Sequence, residues 1–235
     1  MSVDQDIREK KSFELLDDFP WDSGATIIGG YAISGYGSLR YSDDLDILVP
    51  QRSNKLLLNW LLGKGYSISK QANPNPQNYD GNYHRLLNGE VTIDLLAGYV
   101  RDRDAKIDIP EDWISQNPSW KKTTGFASVT KRSVPIVRLE SLWALKLQAG
   151  RDQDITDLYS IHHLKFEKGE VIGLFKSVMK ESLKVKLRKT SQKAKSTKIY
   201  GDARSKLALK DTDKIRKSWL EFSETVDDIA SRSCT

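Results

Sequence analysis

The chain has 235 residues and a formal net charge of +5, with 38% hydrophobic and 29% charged residues. This length fits one large domain or two small ones, and the composition is that of a globular protein with a hydrated surface. No apolar run reaches the roughly 18 residues needed to span a bilayer, and the segment MSVDQDIREKKS lacks the apolar core of a secretion signal. Cys234 is the only cysteine, which excludes disulfides and cysteine-based metal sites within one chain. We therefore expect a cytoplasmic protein with no membrane partner.

The positive charge is concentrated in the last third of the chain. Residues 165–235 contain 18 Lys and Arg against 10 Asp and Glu, a net charge of +8, whereas residues 1–164 contain 19 against 22, a net charge of −3. A basic segment of this kind favours a polyanionic partner, with nucleic acid or nucleotide as the leading candidates. The alternative is a solvated helical surface.

Residues 1–138 alternate between short apolar segments and helical patterns, which predicts a mixed α/β part. The Asn88-Gly89 pair between two apolar segments is a strong hairpin signal. In chain order, the predicted elements are a helix over 7–19 ending at Pro20, a strand at ATII, helical turns at YAISGYG, a strand at LDILVP, a helix at SNKLLLNWLLGKG with Ser53 as N-cap, a strand at YSISK, a loop at NPNPQNYDGN, and a hairpin at YHRLLNGEVTIDLLAGY.

The remaining segments change character near residue 138. DWISQNPSWKKTTG is ambiguous, FASVTKRSVPIVRL has strand character, and LESLWALKLQAG and DITDLYSIHHLK are helical. After Gly169 the apolar residues keep helical spacing in a lysine-rich background. We therefore predict an α+β chain with a mixed β-sheet flanked by helices over 1–138 and an all-helical, basic domain over 139–235.

Two aspartates stand at alternate positions at the start of the strand predicted at LDILVP. Because strand side chains alternate between faces, Asp44 and Asp46 point the same way while Leu45 and Ile47 enter the core. Their Cα atoms are about 6.5–7 Å apart, a spacing at which two carboxylates can share a divalent cation. Without a cation, two unit charges about 4 Å apart repel by about 4 kcal/mol at an effective dielectric of 20. Mg²⁺ removes this cost and also binds polyphosphate.

A third carboxylate is expected from the strand VTIDLL. Asp94 is the one acid of this otherwise apolar strand, where burial without a partner is costly. Three aspartates that converge at strand ends form a two-metal site, in which one ion activates an attacking hydroxyl and the other steadies a triphosphate. Gly29-Gly30 lets the backbone approach a ligand, and the free N–H groups of that turn favour a phosphate. The alternative is a plain strand–turn–helix with surface aspartates.

The spacing of these residues resembles the signature of the DNA polymerase β-like nucleotidyltransferase superfamily, a Gly-Gly or Gly-Ser followed by D-h-D-h on a strand. More narrowly, GGYAISGYGSLRYSDDLDILV is similar to the form found in minimal nucleotidyltransferases and in nucleotidyltransferase toxins of abortive-infection type systems. Arg40 matches the arginine of that pattern, and Ser42 stands where threonine is usual but keeps the hydroxyl.

A second block agrees with the resemblance. SLWALKLQAGRDQDITDLYSI, residues 141–161, is similar to the serine, lysine and arginine–aspartate motif of those toxins, with Lys146, Arg151, Asp154 and Asp157 at the matching positions. The resemblance implies that Lys146 reaches a triphosphate. The alternatives are a surface lysine for Lys146 and, for Arg151, a structural ion pair with Asp154 or Asp157.

The resemblance implies a Mg²⁺-dependent nucleotidyltransferase that moves a nucleoside monophosphate from an NTP to a hydroxyl and releases pyrophosphate. Its implied site has Asp44 and Asp46 on both Mg²⁺ ions and Asp94 on the catalytic ion. The catalytic set is Asp44, Asp46, Asp94 and Lys146, and the implied nucleotide-binding residues are Gly29, Gly30, Arg40, Ser42, Lys146 and Arg151.

The acceptor stays open at this point. The basic last third favours RNA, tRNA especially, in a toxin-like role with a possible cognate antitoxin. The alternatives are a small molecule of the aminoglycoside type, a protein acceptor, or a catalytically silent nucleotide- or RNA-binding protein. The lysine series at 180, 184, 186, 189, 193, 195 and 198 has helical spacing and could track phosphates or form a solvated face.

Overall fold

A computed structural model describes residues 3–69, 82–102, 104–125 and 131–235. The predicted loop NPNPQNYDGN falls outside the described residues except for Asn82, as does the first part of FASVTKRSVPIVRL. The fold is α+β, with a mixed sheet followed by a helical C-terminal region, so the coarse fold prediction is confirmed.

Seven of the described strands form one mixed sheet in the order β3-β4-β5-β2-β1-β9-β8, and β6 and β7 form a separate pair. Within the large sheet, β2 is parallel to β5 and β1 is parallel to β9, while the other neighbours are antiparallel. The strands are β1 (Thr26–Ile27), β2 (Asp44–Val49), β3 (Ser67–Ile68), β4 (Tyr83–Asn88), β5 (Val91–Ala97), β6 (Tyr99–Asp102), β7 (Ile107–Pro110), β8 (Ser119–Thr124) and β9 (Lys131–Ile136).

The helices follow the predicted apolar periodicity, and the ambiguous segment DWISQNPSWKKTTG contains one short helix and the edge strand β8. The helices are α1 (Val3–Asp17), α2 (Gly29–Gly35), α3 (Asn54–Gly63), α4 (Glu111–Ile114), α5 (Leu139–Ala149), α6 (Asp152–Ile161), α7 (Lys168–Ser177), α8 (Glu181–Ala194), α9 (Thr197–Lys206) and α10 (Asp213–Ser233). None of these described helices is long and apolar enough to cross a membrane.

The prediction that Ser53 caps helix α3 is wrong. Ser53 precedes the helix, but its backbone is already helical and its side chain makes no capping hydrogen bond. Its hydroxyl instead donates to the carbonyl of Ser23 at 2.7 Å. A hydroxyl that donates to a distant carbonyl ties two loops together, and no local sequence rule for caps anticipates that choice.

The chain divides into two compact units. The sheet unit comprises 1–101 and 109–138, and the helical unit comprises 102–108 and 139–235. Segment 102–108 joins the helical unit through contacts with α5 and α8. Ser182 donates to the carbonyl of Ala105 at 2.8 Å, Gln148 donates to the carbonyl of Ile107 at 3.1 Å, and Lys186 pairs with Asp102.

The sheet around β2 and β5 holds the core of the sheet unit. Leu45 and Ile47 are fully buried on one face of β2, as their alternation with the aspartates predicts. On the opposite face, Asp44 and Asp46 are half-buried. The hydrophobic core therefore fixes the strand that carries two of the candidate site residues.

Candidate functional site

The three aspartates predicted to converge lie together on adjacent strands. β2 and β5 are parallel, and their register pairs Asp46 directly with Asp94 and Asp44 with Thr92. One carboxylate oxygen from each of Asp44, Asp46 and Asp94 lies within 4.8 Å of the others. Convergence of these three side chains is therefore confirmed.

The donor set fits a hard divalent cation. Carboxylate oxygens are the ligands that Mg²⁺ and Ca²⁺ take in proteins. Neighbouring (cis) oxygens on one octahedral Mg²⁺ at about 2.1 Å are about 3 Å apart, so the three carboxylates would have to move closer together to share one ion. Asp44 and Asp46 are half-buried, and Asp94 is 9% exposed. The cluster is therefore partly shielded from solvent, while two of its carboxylates remain accessible to an ion.

Gly29 makes room for one of these carboxylates. Its φ of +68° lies in the left-handed region that glycine occupies without strain. A Cβ at this position would lie 2.7 Å from Cγ of Asp46 and would overlap its Oδ2. The space beside Gly29 is therefore filled by the side chain of Asp46, and the close approach of the backbone to a phosphate stays a prediction.

Gly30 likewise makes room for the side chains of Arg40 and Ser42. A Cβ at Gly30 would lie 2.8 Å from the Cβ of Ser42 and would overlap Oγ of Ser42 and a guanidinium nitrogen of Arg40. The four predicted phosphate-binding residues, Gly29, Gly30, Arg40 and Ser42, are therefore brought together with Asp46 at the start of α2. Their contact with a nucleotide stays a prediction.

Sequence reasoning missed Arg85, which lies directly on the acids. The β4–β5 register places Arg85 opposite Asp94. Its Nε donates to Oδ1 of Asp94 at 2.7 Å, and its Nη2 donates to Oδ2 of Asp94 at 3.0 Å and to Oδ2 of Asp44 at 2.9 Å. Tyr83 adds a hydrogen bond from its hydroxyl to Asp94 Oδ1 at 2.9 Å. The observed turn residues are Gly89 and Glu90, because Asn88 pairs with Val91, so a register read outward from an Asn88-Gly89 turn would have placed Arg85 opposite Thr92 instead.

Burial and charge oppose each other at Asp94. Burial raises the pKa of its carboxyl, and the nearby charge of Asp44 adds to the increase, while Arg85 and Tyr83 offset part of it. Burial lowers the pKa of Arg85, but its hydrogen bond and charge interaction with Asp94 outweigh burial and raise it. Arg85 therefore remains a guanidinium that compensates part of the negative charge.

The loop before β2 is held by α1. Arg8 donates to the hydroxyl of Tyr41 at 3.0 Å and to the carboxylate of Asp43 at 2.9 Å, and it pairs with Glu90 at 3.6 Å. Asp43 points away from the cluster and its side chain is 78% exposed. Asp43 is thus a surface ion-pair partner of Arg8.

Lys146 is buried within the helical unit. Its ammonium donates to Asp154 at 3.0 Å and to Asp157 at 2.6 Å, and the residue is 4% exposed. The alternative of a surface lysine is therefore wrong: helix α5 is buried on nearly every side, so spacing alone does not separate a surface lysine from a core lysine. The triphosphate contact implied for Lys146 stays a prediction.

Arg151 forms the structural ion pair that the sequence left open. Its Nε and Nη2 bind both carboxylate oxygens of Asp154 at 2.7 and 3.1 Å, while its own side chain is 72% exposed. Burial raises the pKa of Asp154, but the charges of Lys146 and Arg151 outweigh it and lower the pKa overall. Arg151 thus presents an exposed guanidinium edge held by a buried acid.

Most of the lysine series is engaged within the helical unit. Lys180 donates to the carbonyl of Lys106, Lys186 pairs with Asp102 and Asp104, Lys193 pairs with Asp152, and Lys195 pairs with Asp227. The described structure gives Lys184, Lys189 and Lys198 no side-chain hydrogen bond or ion pair, and the latter two are exposed. Much of the predicted basic surface therefore stabilises the helical unit itself.

His162 and Tyr31 both pack against neighbouring aromatic side chains. His162 bonds to Ser218 at 3.0 Å and stacks on Tyr159, and the acid cluster is the sole candidate metal group among the described residues. Tyr31 is buried edge-on against Phe13, and burial raises its pKa. Core packing thus accounts for Tyr31.

No family model matches this chain, and no curated protein sequence matches it. The residues of the candidate site and their geometry are therefore the basis of the functional argument.

Proposed function

We propose that this protein is a Mg²⁺-dependent nucleotidyltransferase with a nucleotidyltransferase core in residues 1–138. The observation that carries the proposal is the cluster of Asp44, Asp46 and Asp94, whose oxygens lie within 4.8 Å of one another. Packing of Gly29 against Asp46 supports it, because the glycine pair and the acids then belong to one constellation. Two Mg²⁺ ions bound to these acids would supply charge compensation for a triphosphate and activate an acceptor hydroxyl.

In the proposed reaction, the acceptor hydroxyl oxygen attacks the α-phosphorus of an NTP. A new P–O bond forms, the bond from the α-phosphorus to the α,β-bridging oxygen breaks, and pyrophosphate leaves with that electron pair. In this proposal Asp94 accepts the hydroxyl proton. Asp44 and Asp46 would hold the cations, which would supply charge compensation for the triphosphate, and Arg40 and Ser42 bind its oxygens.

Arg151 stays among the proposed nucleotide-binding residues. Its guanidinium is exposed and is held by Asp154, which in turn is held by Lys146. The contacts of Lys146 favour an indirect role in which its buried ammonium fixes Asp154 and thereby Arg151. In the alternative form of the proposal, Lys146 itself balances the charge of the leaving pyrophosphate.

The proposed acceptor is a hydroxyl of RNA, with tRNA the first candidate. Exposed cations on the helical unit support it, since Arg188, Lys189, Lys198, Lys214 and Lys217 make no side-chain hydrogen bond or ion pair among the described residues. Such side chains are available to bind phosphates. A protein or small-molecule acceptor and a silent nucleotide-binding protein are the competing functions.

A transfer assay tests the proposal. The full chain is incubated with Mg²⁺ and each labelled NTP in turn, together with total tRNA, an aminoglycoside mixture or cell protein. We expect label from the α-phosphate in tRNA and release of pyrophosphate, both abolished by EDTA. Label in the drug or in protein moves the acceptor to that class, and no label in any arm favours the silent protein.

Matched variants separate the site from neighbouring charge. Asp44→Asn and Asp46→Asn should each lower transfer by at least about 100-fold, because each removes a cation ligand. Asp43→Asn removes a neighbouring exposed carboxylate and should leave transfer within about twofold of wild type. Full transfer by a folded Asp44→Asn, Asp46→Asn double variant would contradict the proposal.

A further inference from the structure

Arg85 carries the next inference because its guanidinium lies where a cation is expected. It bridges two of the three candidate ligands, with two hydrogen bonds to Asp94 and one to Asp44. The side chains of Arg85 and Asp44 are each 30% exposed, and the side chain of Asp94 is more deeply buried. Charge interactions in this setting are screened less than at an open surface.

The contacts of Arg85 are unequal. With Asp94 it forms a bidentate pair across directly opposed residues of β4 and β5, and Tyr83 holds the same carboxylate. With Asp44, on the next strand, it forms a single hydrogen bond at 2.9 Å. Bidentate arginine–carboxylate pairs have fixed geometry, so the Asp94 side is the anchored end and the Asp44 contact is the exchangeable one.

A divalent cation shared by the three acids needs an oxygen of Asp44. The nitrogen that binds Oδ2 of Asp44 also binds Oδ2 of Asp94, so it lies between the same two side chains that the cation would join. A guanidinium and a metal ion cannot occupy that position together, and their positive charges repel.

We infer that Arg85 is a built-in competitor of the divalent cation. In the metal-free site it bridges Asp44 and Asp94. Cation binding replaces the Arg85–Asp44 hydrogen bond with a ligand bond, while Arg85 keeps its two bonds to Asp94 and continues to orient that carboxylate. The inference rests on the metal-binding part of the proposed function, and it makes Arg85 a positioning residue that sets cation affinity.

Binding of Mn²⁺ alone, without nucleotide, tests the inference. The full chain and its variants are titrated with Mn²⁺, and free ion is followed by electron paramagnetic resonance. We expect Arg85→Gln to bind Mn²⁺ at least about tenfold more tightly than wild type. Arg85→Lys keeps the charge but cannot bridge both acids in the same way, and it should bind about threefold more tightly.

Arg132→Gln is the matched control. Arg132 is another arginine of the sheet unit, and its guanidinium pairs with Asp17. This variant loses the same charge without loss of the Asp44 contact and should stay within twofold of wild type. Circular dichroism confirms that each variant is folded. If Arg85→Gln does not fold, the Mn²⁺ affinity of Arg85→Lys tests the inference. Equal or weaker Mn²⁺ binding by the folded Arg85 variants overturns the inference.

Failure of this inference is distinguishable from failure of the proposed enzyme. Transfer activity in wild type together with unchanged Mn²⁺ affinity in the Arg85 variants overturns the role of Arg85 alone. Tighter Mn²⁺ binding by Arg85→Gln in a protein that labels no acceptor supports the role of Arg85 and overturns the enzymatic proposal alone.

Discussion

At the scale of single residues, Gly29 shows how closely backbone and acid are fitted together. Its left-handed backbone and the carboxylate beside it are two independent reasons for glycine at this position. Either alone would make a side chain costly. Together they place the turn before α2 directly against Asp46.

We predict that Gly29→Ala destabilises the protein. The left-handed backbone alone costs about 1–2 kcal/mol for a residue with a Cβ, and displacement of Asp46 adds to that cost. Urea unfolding of the purified chain measures the loss in free energy of unfolding, and Mn²⁺ titration of the folded fraction should show weaker binding.

Gly173→Ala is the control for this substitution. Gly173 lies in helix α7 with nothing within 4 Å of an added Cβ. Alanine there should stabilise the protein by about 1 kcal/mol through helix propensity. Equal stability of Gly29→Ala and wild type would contradict the assigned packing.

Lys146 gives a second prediction at this scale. Lys146→Met leaves Asp154 and Asp157 buried without their ammonium partner, and the expected loss is about 3–5 kcal/mol of unfolding free energy. Lys168→Met breaks a partly exposed pair with Asp228 and should cost at most about 1 kcal/mol. Thermal and urea unfolding compare the two, and similar losses would refute a structural role specific to Lys146.

At the scale of elements, strand pairing decides what the acids contact. Hairpin β4–β5 turns at Gly89-Glu90, one residue later than the Asn88-Gly89 pair predicts, and Gly89 has the positive φ that the first turn position requires. That register sets Arg85 opposite Asp94, and the parallel pairing of β2 with β5 sets Asp46 opposite Asp94. A shift of one residue in either pairing would move one partner to the other face of the sheet.

The end of helix α6 provides a pH-dependent element. His162 bonds through Nδ1 to the carbonyl of Tyr159 and through Nε2 to Ser218 of α10. Because the carbonyl only accepts, Nδ1 carries the proton and Nε2 accepts from Ser218 in the neutral ring. Burial lowers the pKa of His162, and the charge of His163 adds to the decrease while Tyr159 and Glu221 offset part of it.

We predict that stability falls as the pH drops below about 6.5, the usual histidine value. The folded pKa lies below the unfolded one, so the unfolded state binds the proton first and the stabilisation present above pH 6.5 is lost on acidification through the folded pKa. His162→Phe keeps an aromatic ring but no titration, and it should reduce this pH dependence. The same slope of unfolding free energy against pH in both proteins would contradict the assignment.

At the scale of the whole molecule, the formal charge of the last third overstates the charge available to a partner. Ion pairs inside the helical unit use several of its lysines. The basic side chains that remain exposed without a described partner are fewer, and they are the ones to test for RNA binding.

We predict that a Lys189→Gln, Lys198→Gln, Lys217→Gln triple variant binds tRNA more weakly. Each lost phosphate contact should lower the slope of log affinity against log salt by about 0.7–0.9. Fluorescence anisotropy over a KCl series measures the slope. The triple variant Lys10→Gln, Lys55→Gln, Lys122→Gln has the same charge change on exposed lysines of the sheet unit and is the control. Equal slopes for the two variants would exclude the proposed RNA surface.

Several features of the site were readable from the sequence because they depend on local geometry. Alternation in a strand placed Asp44 and Asp46 on one face, and the lone acid in VTIDLL identified Asp94. The Asn88-Gly89 turn located the hairpin. Helical spacing located α5 and α6 but not the side toward which Lys146 points, because α5 is buried on nearly every side.

By itself, then, the sequence determined β1 to β5, β9, the longer helices and the acids that share a face, since residue periodicity and turn chemistry act over a few neighbours, but it did not predict β6, β7, β8 or α4. The tertiary structure decided that Arg85 lies on Asp44 and Asp94, that Lys146 is buried against two aspartates, and that segment 102–108 packs with the helical unit. These contacts depend on strand register and helix packing between residues far apart in the chain, and no local pattern specifies them.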